Sequence, residues 1–143
     1  MPVRVGVNAV SLLLFASSGL TTFMALGADL TPEETVEETV TVVIEARQFK
    51  PDRTVLHQGQ KTTLVFKNQD SDLHTVVPFG LFAGISLNIS GNGALEFGGE
   101  GFKRVIIPPD GTAEFHFTPI EPGEYRYLCD MPGHEMKAVI VVE

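Results

Sequence analysis

From residue 39 onward, apolar and polar side chains alternate over short runs that turn-forming residues interrupt. Thr112 to Thr118 shows the period most cleanly, with Ala113, Phe115 and Phe117 on one face and Glu114 and His116 on the other. A period of two is that of a strand with one face buried. Thr39 to Ala46 is rich in Val, Ile and Thr, and Thr54 to Leu56 is a shorter run before a turn at His57-Gln58-Gly59-Gln60. Lys61 to Lys67 sets Thr62, Leu64 and Phe66 against Thr63 and Val65. His74 to Val77 stops at Pro78, Arg104 to Ile107 stops at Pro108-Pro109, and Tyr125 to Cys129 and Lys137 to Val142 close the chain. About eight short strands with regular turn signals predict an all-β sandwich with Greek-key connections. No helical stripe of useful length competes with that reading.

Two stretches depart from the pattern. Phe79 to Lys103 carries seven glycines among scattered apolar residues. A connection that long is functional or mobile in a small domain. Its Ser90-Gly91-Asn92-Gly93 tetrad predicts an extra hairpin, and Asp110-Gly111 predicts another between its flanking strands. The other departure is the N-terminus. Arg4 precedes the uncharged run Ala9 to Leu26, and Ala25-Leu26-Gly27-Ala28 offers small residues for cleavage. Residues 1–28 therefore read as an export signal, or, uncleaved, as a membrane anchor. Residues 29–39, with Asp29, Glu33, Glu34, Glu37 and Glu38, read as a solvated acidic linker, which leaves 40–143 as the folded domain. At roughly 115 residues, the exported chain would bury about two-thirds of its unfolded surface, so the fold should form without a metal.

Composition narrows the chemistry. The formal charge is −8, which opposes nucleic acid and suits a basic partner surface. A single cysteine excludes an internal disulfide and a multi-cysteine zinc site. That cysteine stands in Tyr127-Leu128-Cys129-Asp130-Met131-Pro132-Gly133-His134-Glu135-Met136, where a turn joins two predicted strands. Alone, each member has an ordinary explanation: Cys129 as a small buried hydrophobe, His74 and Met136 as core residues. Together they bring thiolate, imidazole and thioether to one end of the sandwich, with His74 entering from a polar loop. That donor set suits an electron-transfer copper site.

The same residues carry a family resemblance. Phe49-Lys50-Pro51, Val65-Phe66-Lys67-Asn68, Asp72-Leu73-His74-Thr75-Val76 and Phe117-Thr118-Pro119 through Cys129 to Pro132-Gly133-His134 resemble the cupredoxins, the plastocyanin and azurin group of small blue copper proteins. The resemblance covers about residues 40 to 143. It implies one copper ion cycling between Cu(I) and Cu(II), held by His74, Cys129 and His134, with Met136 as the axial thioether. Only Glu135 separates His134 from Met136, a tighter spacing than the family's, so Met131, the Leu73 carbonyl or no axial donor remain alternatives. Thr75 is expected to tie the two ligand loops together near Asp130. His116 is expected to be solvated and His57 to lie at the far end. An apolar ring of Pro132, Gly133, Phe79, Leu81 and Phe82, rimmed by Asp70, Asp72, Asp130 and Glu135, would face a basic redox partner.

The expected function is that of an exported, periplasmic or extracellular, monomeric electron carrier and not an enzyme. A copper-transfer or metal-uptake accessory is the first alternative. A metal-free interaction module using 79–103 is the second.

Overall fold

The computed structural model describes residues 36–143. The export signal and most of the acidic linker lie outside the described residues. Among the described residues no helix is long and apolar enough to cross a membrane. Eleven strands among the described residues form two sheets. In chain order they are β1 (Glu38–Glu45), β2 (Gln48–Lys50), β3 (Arg53–Leu56), β4 (Thr62–Asn68), β5 (His74–Pro78), β6 (Asn88–Gly91), β7 (Ala94–Gly98), β8 (Gly101–Ile107), β9 (Thr112–Phe117), β10 (Gly123–Leu128) and β11 (Lys137–Val142). One sheet runs β2-β1-β4-β9-β6 and the other β3-β11-β10-β5-β8-β7. β1 pairs parallel to β4 and β3 parallel to β11, and the remaining pairs are antiparallel. The all-β sandwich expected from the alternation is thus present, and β1 opens at Glu38, inside the stretch read as linker.

The core is what the period of two demands. Ala113, Phe115 and Phe117 of β9 point inward between the sheets, and Leu64 and Phe66 of β4 join them. Phe66 meets Phe115 and Tyr127 edge to face, with ring centroids 5.7 and 5.4 Å apart. Edge-to-face contacts place the positive ring edge on a negative face, a favourable arrangement in a packed interior.

The three strands beyond the expected eight are β2, β6 and β7. Residues 90–93 do not form the predicted hairpin: β6 pairs with β9 in one sheet and β7 with β8 in the other. The turn instead carries the chain across the sandwich. Glycine is required there because Gly91 has φ 105° and a Cβ would lie 2.4 Å from the Thr112 carbonyl oxygen. Asp110-Gly111 likewise joins β8 to β9 across the sheets and is not a hairpin turn. Turn residues announce a reversal, but they carry no information about which sheet the next strand joins. Phe82, in the loop before β6, stacks on Phe115 and meets Phe117 edge to face, so that loop is fastened to the core.

Candidate metal centre

Strand register brings the donors together. β10 lies between β5 and β11, pairing Leu128 with Val77 on one side and with Lys137 on the other. Continued past Leu128, those registers put Cys129 opposite Met136 on one side and beside Val76 on the other, with Thr75, the next residue of β5, beside Asp130. The Thr75 amide accordingly lies 3.3 Å from the Cys129 sulfur, and the Cys129 amide donates to the Met136 carbonyl at 3.1 Å. Between them the chain reverses at Met131-Pro132-Gly133-His134, where the His134 amide donates to the Met131 carbonyl at 3.0 Å. Pro132 at the second position and Gly133 at the third, with φ 78°, are what a type II turn requires. The turn folds His134 back over Cys129.

The result is a triangle of donors. His74 Nδ1 and His134 Nδ1 are 3.2 Å apart, and Cys129 Sγ lies 3.9 Å from the first and 3.6 Å from the second. A point equidistant from three atoms so spaced lies about 2.1 Å from each, within the roughly 2.0–2.3 Å of metal–imidazole and metal–thiolate bonds. His74 and Cys129 are buried and His134 half-buried. Met136 is buried in the same core cluster as Cys129, and Met131 packs against that cluster. Two imidazoles, a thiolate and a nearby thioether form the soft-to-intermediate donor set that copper favours, and this cluster is of the type 1 copper kind. The residues fit the ion.

The surrounding hydrogen bonds are directional. His74 Nε2 lies 2.8 Å from Asp70 Oδ2. Asn68, buried at the end of β4, accepts the Asp70 amide and donates its Nδ2 to the carbonyls of Asp72, Ile107 and Pro108. Thr75 bridges the two ligand loops as expected: the Asp130 amide donates to its hydroxyl at 2.9 Å, and that hydroxyl donates to Asp130 Oδ1 at 2.7 Å.

The expected rim is largely neutralised. Arg47 pairs with Asp72 and Arg104 with Asp130, each at 2.7 Å. Burial would raise the Asp130 carboxyl, but bonds from Thr75 and Arg104 hold it below the usual range. Burial likewise opposes ionisation of Asp70, and the Arg47 and Ala46 amides with His74 outweigh it. Asp72 is held down chiefly by its bond from Arg47. Glu135 alone of the four has no ion pair among the described residues.

The apolar ring also differs from expectation. β5 starts at the donors and runs away from them, so Phe79 stands about 16 Å farther along at strand rise. Leu81 is buried and Phe82 packs on Phe117, near the opposite end. Of the expected ring, exposed Pro132 and Gly133 border the donors, and Leu73, 44% exposed, joins them in place of the three residues beyond β5. His57 pairs with Glu38 as a far-end residue, whereas His116 is not simply solvated: it bridges Thr63 and Ser90 on neighbouring strands. Sequence reasoning missed the roles of Asn68 and Asp70. The signal available was the spacing of Asn68, Asp70 and His74 across a polar loop, which reads as an Asx-type turn followed by a carboxylate.

Similarity to known proteins accords with this geometry. A family model described as a cupredoxin-like domain matches residues 13–142. No curated protein gives a significant sequence match. Among solved structures, auracyanin A, a "blue" copper protein from the green thermophilic photosynthetic bacterium Chloroflexus aurantiacus, is 21% identical with a TM-score of 0.52, covering 76% of this chain and 100% of its own. The Cu(I) form of an amicyanin variant is 21% identical with a TM-score of 0.51, covering 77% of this chain and 87% of its own. At such identity the likeness is one of fold.

Proposed function

The chain belongs to the cupredoxin-like domain family, and from that premise we propose that it is an exported, monomeric one-electron carrier. The observation that carries the proposal is the preassembled triangle of His74, Cys129 and His134 at 3.2–3.9 Å. Copper held there by His74, Cys129 and His134, with the Met136 thioether as a further donor, would supply the exchange between Cu(I) and Cu(II). The protein's contribution is rigidity. Asp70 holds the His74 ring, the Thr75 amide and hydroxyl approach the Cys129 sulfur, and the type II turn holds His134. Donors fixed in this way move little when the charge at the centre changes, which keeps reorganisation small. His134, half-buried beside exposed Pro132 and Gly133, gives electrons a short way in. The partner is a protein with a basic surface, drawn by the net charge of −8 and by Glu135, which has no ion pair among the described residues. Export, to the periplasm or beyond, rests on residues 1–28, whether cleaved or kept as a tether.

The same accessibility of His134 favours one other reading, a copper-handling protein that passes the ion on. The two readings separate in a competition experiment. Copper-loaded protein is mixed with a strong Cu(I) chelator while electron self-exchange is measured by NMR line broadening. A carrier retains copper and exchanges electrons rapidly. Quantitative loss of copper with slow exchange identifies the handling protein and overturns the proposal.

A further inference from the structure

We propose that Asp70 is a positioning residue of the copper centre, one carboxylate that fixes the His74 ring and closes the β1–β2 turn together. The His74 ring is buried, and Asp70 Oδ2 is the only partner of its Nε2 among the described residues, at 2.8 Å. A carboxylate only accepts, so Nε2 carries the proton and Nδ1 turns its lone pair toward Cys129 and His134.

The same carboxylate is held from the other side. Asp70 Oδ1 accepts the Ala46 amide at 2.7 Å and Oδ2 the Arg47 amide at 2.9 Å. Those residues form the two-residue turn between β1 and β2, and their φ values are 52° and 53°. Such a turn ordinarily takes Asn-Gly, because both central residues are left-handed. Here both carry a Cβ, so the backbone alone does not favour the turn, and the carboxylate supplies acceptors for both its amides. Arg47 then reaches over to Asp72 at 2.7 Å, bracketing the loop that carries Asp70. Turn and ligand thus share one acceptor although they are far apart in sequence. By linkage, whatever orders one orders the other.

The inference rests on copper at this centre and is independent of whether the ion is kept or handed on. The test is a cycle of Asp70→Asn, the paired change Ala46→Asn with Arg47→Gly, and all three together. The paired change lets the turn form without Asp70 and keeps Asp70→Asn interpretable if that variant folds poorly alone. In both backgrounds Asp70→Asn should leave the blue colour and weaken Cu(II) binding about tenfold relative to Cu(I), raising the midpoint potential by about 59 mV. In the wild type, copper loading should slow hydrogen exchange of the Ala46 and Arg47 amides, and in Asp70→Asn it should not. An unchanged potential in both backgrounds overturns the inference. A shift confined to the native turn also overturns it, because Asp70 would then serve the turn alone. A wild type that takes up Cu(II) without colour instead refutes the centre itself.

Discussion

The loop 130–135 and the segment 79–103 are both glycine-bearing connections, and they are held in different ways. The loop spans adjacent antiparallel strands, so register on both sides fixes where it begins and ends, and Pro132-Gly133 fixes its reversal. The segment leaves β5 in one sheet, adds β6 to the other, and returns as β7. Its position depends on contacts with β8 and β9 and on aromatic packing of Phe82 and Phe102 against Phe115. The reversal of the loop is set by neighbours in sequence, whereas the sheet that β6 of the segment joins is set by β9, farther along the chain.

Glycine substitutions sharpen this contrast. Gly91→Ala should cost about 3 kcal/mol or more, since a strained φ is compounded by a collision with the Thr112 backbone that cannot move without shifting β9. Gly133→Ala meets no atom within 4 Å and should cost only the left-handed conformation, about 1–2 kcal/mol. Urea unfolding of the metal-free protein measures both. Equal costs would mean that the crossing at Gly91 is no tighter than the ligand turn.

This difference explains what was legible in the sequence. The alternation around Phe115 and the closeness of Cys129 to His134 were readable because each follows from a local period or a short turn, whereas His74 and the Thr75 bridge, 55 residues from Cys129 and Asp130, were reached through the family resemblance. The crossing at Gly91 was not readable, because turn residues do not name the sheet that the next strand joins. Phe79, Leu81 and Phe82 were misplaced for a related reason: residues close in sequence to His74 are carried away from it by the strand. The pairing of Asp72 with Arg47 and Asp130 with Arg104 depends on side chains brought together only by the fold.

Acid should act more strongly on the donor end. Asp70, Asp72 and Asp130 have carboxyls held below their ordinary value of 3.8, whereas in the segment only Glu96 is held down, chiefly by its bond from Arg104. A carboxyl depressed in the folded state contributes stability above its unfolded value, and that contribution is lost as pH falls through the lower folded value. In metal-free protein the stability gap between wild type and Asp130→Asn should therefore be constant from pH 7 to about 5 and close below about pH 4. A gap that widened on acidification would contradict the assignment of Arg104 and Thr75 as the partners that keep Asp130 ionised.

The most direct test is to add Cu(II) to the wild-type protein and to Cys129→Ser and record visible and paramagnetic spectra. The wild type should develop an intense thiolate-to-copper band that saturates at a single ion per chain, and Cys129→Ser should remain folded without it. Weak ligand-field absorption alone in the wild type, or an intense band surviving in Cys129→Ser, would contradict a copper centre built on His74, Cys129 and His134.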